Sequence, residues 1–432
     1  MNLELETPMP AAPRDIIATV VDPKAHADPA RLNAAFAWLR QNDPLARAQL
    51  PDFDPFRIVT KHADILQISR DNTLFPYGAF PSTLAPHQGV ERQREARAAG
   101  RPLLYTLVQM DEPDHMKYRA LTQAWFMPQN IRRLEERIRE LAREAVARME
   151  ALGGECDFVE AVALHFPLRV IMEILGVPRQ DEPRMLKLTQ ELFGATDPDL
   201  RRQSGEQTPE ARQLDVQATL TDFFNYFNAL TEDRRARPRE DVASAIANAR
   251  IDGEPISAFD AVSYYLIIST AGHDTTSSST AGAMWALAER PAELAKVRAN
   301  PALIPSLVDE SIRWTTPVRH FMRSAAAAAT VRGQAIAKGE WLMLCYPSGN
   351  RDEEVFEDPD EFHVDRSPNR HLAFGYGAHM CLGQHLAKME MRILWEELLP
   401  RLKSVELAGE AKLSEANFVN GPKALPIRYA LA

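Results

Sequence analysis

The sequence predicts a mainly α fold with small β-sheets. Apolar residues recur at helical spacing through most of the 432 residues, most plainly between Ser257 and Glu289. Strand signals are short and few: FRIVT at 56–60, EWLMLCY at 340–346 and LPIRYAL at 425–431. No internal repeat and no linker-like stretch divides the chain, so residues 1–432 are expected to form one domain.

Taken in order, MNLELETPMPAAPRD is acidic and proline-rich, and residues 1–14 are expected to be flexible. It has neither the basic nor the apolar region of a signal peptide. A helix is expected from near Asp28 and another after Pro113, with Asp111 or Glu112 as its cap and proline in its first turn. Arg132–Leu152 carries Leu134, Ile138, Leu141, Ala145 and Met149 on one face. Ser257 and Asp260 form a capping box, and Pro291 ends the pattern that follows. One continuous helix of that length, at about 1.5 Å per residue, crosses a whole domain. Further helices are expected near Ala302–Trp314 and Gly383–Leu399. Two irregular stretches, 75–102 and 201–209, are candidate mobile substrate-access loops.

The net charge of −10 supplies no excess of positive charge to meet phosphates, which argues against a nucleic-acid partner. No apolar run reaches the ~18 residues of a membrane span. The three cysteines, Cys156, Cys345 and Cys381, form no CxxC pair, and so sparse a set suits a reducing compartment. A cytoplasmic protein is expected.

Chemistry concentrates in FGYGAHMCLG, Phe374–Gly383. Glycines surround Cys381, which stands just before a helix, where free N–H groups and the positive helix end favour a thiolate. Such a cysteine is a buried small hydrophobe, a nucleophile or a metal ligand. No His–Asn signature supports a protease-like nucleophile, and Met380 stands where a dinucleotide fingerprint needs its third glycine. Other candidate groups are the small-residue stretch AGHDTT (271–276), Glu310 and Arg313 in ESIR, and His115 and Arg119 in HMKYR. Glu310 and Arg313 lie off the apolar stripe of Leu303, Ile304, Leu307, Val308 and Ile312, so periodicity alone puts them on a solvated face.

FGYGAHMCLG resembles the haem-binding signature of the cytochromes P450, Phe-Gly-x-Gly-x-His-x-Cys-x-Gly, and matches it at every specified position. AGHDTT resembles the oxygen-binding motif of that family and ESIR its Glu-x-x-Arg pair. HxxxR, AGxDTT, ExxR, NRD (350–352) and the cysteine signature follow one another in the family's order. Segments such as PVRHFMRSA and YPSGNRDEEVF look especially similar to those of a bacterial member that hydroxylates a monoterpenoid.

The resemblance implies a haem-thiolate monooxygenase with haem b (iron protoporphyrin IX) between a long central helix and the cysteine-bearing loop. Cys381 would be the axial ligand to iron, pushing electron density towards O–O cleavage. Phe374, Gly375 and Gly383 would shape its loop, the N-terminal glycines letting backbone amides approach the sulfur. His115, Arg119, Arg323 and His379 would meet the haem propionates, and Asp274 and Thr275 would relay protons. Glu310, Arg313 and Arg366 would form a buried structural group. Phe75, Tyr77, Phe80, Ile267, Ile268, Ala271, Thr315, Pro317, Val318 and Phe321 are expected to line the substrate side.

No flavin or nicotinamide motif is visible, so the resemblance implies electrons from a ferredoxin fed by an NAD(P)H-dependent reductase. The basic run Arg132, Arg133, Arg137, Arg139 and Arg143 is either a docking face for it or a solvated helix face. O2 and a small hydrophobic substrate, monoterpenoid or aromatic or alicyclic hydrocarbon, complete the expected partners. A peroxide-driven peroxygenase and a non-catalytic haem or ligand-binding protein are the alternatives.

Overall fold

Helix stop signals and buried strands fix the frame that carries the site. The structure, a computed structural model, describes residues 12–77, 81–100, 102, 104–203 and 208–432. Most of the segment expected to be flexible, residues 1–11, lies outside that range, and Arg14 already opens a helix, Arg14–Val21. Asp28 caps Pro29–Asn42 by accepting from Arg31 N. After Pro113 the helix runs Asp114–Gln123 without a side-chain cap at its N-cap position. Glu112 reaches Met116 N, and Asp111 takes the amide of Tyr77 at 2.8 Å.

The expected 132–152 helix runs Glu135–Ala151, after a 3-10 turn at Arg132–Leu134, and buries Ile138, Leu141, Ala145 and Met149. The stretch expected to be irregular, 75–102, contains the helix His87–Ala98. In the second such stretch, Thr208 caps a 28-residue helix, Pro209–Ala236, that periodicity did not reveal. Its apolar residues are interrupted by Gln, Asp, Thr and Asn on every face, so no stripe stands out in the sequence.

The expected single central helix is two. Ala258–Ala271 and Asp274–Glu289 are separated by Gly272 and His273. A Cβ at Gly272 would stand 2.8 Å from Ile171 Cδ1, so a neighbouring helix wedges into the break. The Thr275 hydroxyl donates to the Ala271 carbonyl at 2.8 Å, bridging the interruption. Ser257 caps the first half as expected. Pro291 ends the second half and opens the next helix, Pro291–Ala299.

A four-stranded sheet stands beside the helices in the order Arg47–Ala48, Phe56–Val59, Trp341–Cys345, His320–Ser324. Phe56–Val59 pairs parallel with Trp341–Cys345, which is buried along its whole length and so reads as a continuous apolar run. His320–Ser324 pairs antiparallel to it, Arg323 opposite Leu342. HFMRS gave no strand signal because a histidine and an arginine interrupt it; both are buried. The expected C-terminal strand, Pro426–Leu431, lies between Leu402–Leu407 and Glu155–Asp157.

Glu310 and Arg313 overturn the periodicity reading, since both side chains are 0% exposed. Arg313 Nε and Nη2 each donate to Glu310 at 2.8 Å, a bidentate pair. Arg366 Nε and Asn369 Nδ2 also donate to Glu310. Arg313 further donates to the carbonyls of Asn350, Pro359 and Glu361. Burial disfavours the ionised Glu310, but these bonds outweigh it and hold its carboxyl below the usual value. Asn350 then donates to Thr316 Oγ1 and accepts from Leu372 N, two residues before the cysteine segment.

Candidate haem site

Gly375 and Gly377 sit at φ +67° and +77°, a region that side chains resist, and turn the chain beneath the last helix, Gln384–Leu398. A Cβ on Gly377 would stand 2.4 Å from the Ser69 carbonyl oxygen. Cys381 N donates to Phe374 O at 2.9 Å, which closes the loop. Burial pushes the Cys381 thiol up, while the amides of Gly383 and Gln384 and the charge of Arg119 oppose that. The amides that reach the sulfur therefore come from the helix start and not from Gly375 and Gly377. Cys381 is nonetheless exposed, because it faces an internal cavity.

That cavity has a volume of about 220 Å³. It is lined by Cys381, Leu386 and Met391 of the cysteine loop and last helix and by Ile267, Ile268, Ala271, Thr275 and Ser279 of the two halves of the central helix. At one end stand four basic side chains. His115 and His379 lie 3.9 Å apart between ring centroids, and Arg119 Nη2 donates to Met380 O at 2.8 Å. Arg323 lies over the Tyr77 ring at 3.2 Å, with its Nε and Nη1 buried and without a hydrogen-bond partner among the described residues.

Burial lowers Arg323 to about 9. Burial, then the charges of His115, Arg323 and Arg119, lowers His379 to about 2. His115 Nε2 also lacks a hydrogen-bond partner among the described residues, and its Nδ1 stands 3.5 Å from Glu112. The buried Arg323 guanidinium, with its unmet donors, requires an anion. An apolar lining, a cysteine sulfur and a basic end in one cavity fit iron protoporphyrin IX, whose two carboxylates answer those donors.

Tyr77, Pro317, Val318 and Phe321 line the cavity with the residues above, as do Phe374, Gly375 and Gly383. Three expected residues do not line it. Phe75 packs into the core beside the sheet with Ile65, Ile68 and Leu344. Thr315 is pressed against the second half of the central helix, where a Cβ on Gly282 would meet its hydroxyl. Asp274 lines a second cavity with Ser277, Ser278, Asn420 and Lys423, while Thr275 beside it lines the haem cavity. Phe80 lies outside the described residues.

Leu107, Val108, Phe126 and Ile171 line the cavity without any signal in the sequence, and all but Val108 also belong to the main hydrophobic core. Glu390 also lines it, and there a signal existed. It occupies an apolar-stripe position with Leu386 and Ile393. Burial raises its carboxyl well above the usual value.

Four of the five arginines of the basic run stand in ion pairs. Arg133 meets Glu240, Arg137 meets Glu140 and Glu173, and Arg139 and Arg143 meet Glu397 of the last helix. Pairs this exposed are worth little, and the run is occupied by neighbouring carboxylates rather than standing alone.

Residues 87–425 match the family model for Cytochrome P450. The chain is a cytochrome P450. It is 50% identical over 426 residues to Cytochrome P450-terp of Pseudomonas sp, covering 97% of this chain and 98% of that one. It is 33% identical to the Linalool 8-monooxygenase of Pseudomonas putida, covering 91% and 94%. The crystal structure of CYP108D1 from Novosphingobium aromaticivorans superposes with a TM-score of 0.88 at 44% identity, over 98% of this chain and 100% of that one. Mycobacterium marinum CYP268A2 in complex with pseudoionone gives 0.85 at 29% identity, over 99% and 100%. This cytochrome P450 is therefore a monooxygenase with the P450 fold, and its cofactor is haem b. No helix among the described residues is long and apolar enough to cross a membrane.

Proposed function

We propose that this cytochrome P450 hydroxylates a small hydrophobic molecule, a monoterpenoid before an aromatic or alicyclic hydrocarbon, in the cytoplasm. The observation that carries the reading is the apolar surface facing Cys381: Ile267, Ile268, Ala271, Val318 and Phe321 offer shape but few hydrogen bonds to a substrate. The name of the linalool-oxidising relative points to the same substrate class.

Haem, when bound, activates O2 so that one oxygen atom enters the substrate and the other leaves as water, with two electrons and two protons consumed. Cys381 would hold the iron as a thiolate, and the amides of Gly383 and Gln384 would spread its charge. Arg323, His115, Arg119 and His379 would hold the propionates. Asp274 would take protons from its own cavity, and Thr275 would offer them on the haem side. Electrons would come from a ferredoxin. Tyr376 and Met380, 41% and 37% exposed beside Cys381, and Arg70 stacked on Tyr376 at 5.0 Å, supply an apolar and cationic docking patch.

Titrating the ferric holoenzyme with monoterpene alcohols, alkylbenzenes and polar alcohols tests the substrate class. Monoterpenes should displace iron-bound water and shift the spin state at the lowest concentrations; a preference for polar alcohols would overturn it. Turnover with NAD(P)H, ferredoxin and reductase should exceed turnover with peroxide. The reverse would make the protein a peroxygenase, and turnover with neither would make it a non-catalytic binder.

A further inference from the structure

His273, in the break of the central helix, is fully buried. Its Nε2 lies 2.8 Å from the Leu164 carbonyl, just before the helix His165–Leu175. A carbonyl only accepts, so Nε2 carries a proton, and in the neutral ring Nδ1 is an acceptor. Nδ1 faces Thr189 Oγ1 at 3.0 Å, on the helix Glu182–Phe193, and Asp274 Oδ2 at 3.5 Å. Thr189 has a competing acceptor in the Leu186 carbonyl, also at 3.0 Å. Asp274 Oδ2 is buried and has no hydrogen-bond partner among the described residues. The ring is therefore pinned at one nitrogen and presents the other to a carboxyl that lacks a fixed contact.

We propose that His273 is the positioning residue for Asp274. Pinned to Leu164, it offers Nδ1 as an acceptor when a proton passes through the carboxyl, which keeps Asp274 poised beside the break between proton transfers to Thr275. The inference rests on the proposed proton route through Asp274 and Thr275. It adds a dependence of that route on a side chain that touches neither haem nor substrate.

Glutamine and asparagine separate the two ring nitrogens. His273→Gln retains a donor near Nε2 and removes the group at Nδ1; His273→Asn places an amide near Nδ1. In holoenzyme with a reconstituted electron chain, His273→Gln should keep the substrate-induced spin shift and melting temperature of the natural protein. Its product formed per NAD(P)H should fall about tenfold, the lower end of what orienting partners carry at buried sites, and His273→Asn should recover most of the loss. Turnover driven by hydrogen peroxide, which brings its own protons, should be unchanged.

In nitrogen NMR of the diamagnetic ferrous carbon-monoxide form, Asp274→Asn should shift the His273 Nδ1 resonance. The proposal is overturned if Asp274→Asn uncouples while His273→Gln does not, or if the resonance stays in place. It is equally overturned if His273→Gln loses peroxide-driven turnover in the same proportion, the mark of a packing role. If Asp274→Asn itself stays coupled, the proton route fails first and the positioning role with it.

Discussion

Arg323 is 2% exposed on a strand, and two of its nitrogens have no protein partner among the described residues. A buried cation in that state destabilises a protein unless an anion arrives. Arg323→Leu should therefore leave the haem-free protein as stable as before or more so, while the haem-loaded protein releases haem faster. Thermal unfolding of both forms and haem transfer to an acceptor protein measure this; equal loss in both forms would make Arg323 a packing residue. Thr275→Ala should keep haem and substrate binding but divert electrons to peroxide, and unchanged product per electron would contradict the relay. Cys381 was legible as a candidate because its motif is specific in identity and spacing, whereas His115 and Arg119 stood out only through the family pattern. The side of the helix that Asp274 occupies was not, since adjacent residues differ by 100° and the break changes the phase. Nor was the core position of Phe75, an aromatic in a proline-rich stretch that reads as a loop.

The central helix shows what element-level reading captures and loses. Its start at Ser257 and its stop before Pro291 were legible from capping chemistry, because both act through neighbours in sequence. The break at Gly272 and His273 was not, because it depends on Ile171, about a hundred positions away. Gly272→Ala should cost about 1–3 kcal/mol, as overpacking does, read as a lower melting temperature; an unchanged value would mean the break absorbs a methyl freely.

The helix Glu182–Phe193 carries a pH dependence. Burial opposes ionisation of Glu182, but His165 at 2.7 Å and Arg169 at 2.9 Å hold its carboxyl at about 2, below the ordinary 4.5. A depressed carboxyl stabilises the fold fully above 4.5, and the contribution is lost as pH falls towards 2. Glu182→Gln should flatten that acid limb of the stability curve, and an unchanged acid slope would contradict it.

Across the whole molecule, Glu310, Arg313 and Arg366 tie the helix Ile304–Thr315 to the segment that leads into the cysteine loop. Removing one member of a buried ion pair typically costs about 3–5 kcal/mol. Glu310→Gln, which leaves Arg313 without its charge partner, should lower both the melting temperature and the haem content of purified protein; full haem loading would detach this group from the site. Its burial was legible only from the family pattern, because the stripe of apolar residues on its own helix points elsewhere. The small sheets were legible where strands are apolar throughout, as at Trp341–Cys345, and hidden where buried polar groups interrupt them, as at His320–Ser324.

The central claim is that Cys381 holds haem iron as a thiolate. The reduced carbon-monoxide complex tests it most directly. The natural protein should give the red-shifted Soret band of thiolate ligation and Cys381→Ser should abolish it; a red-shifted band that survives in Cys381→Ser would contradict the account.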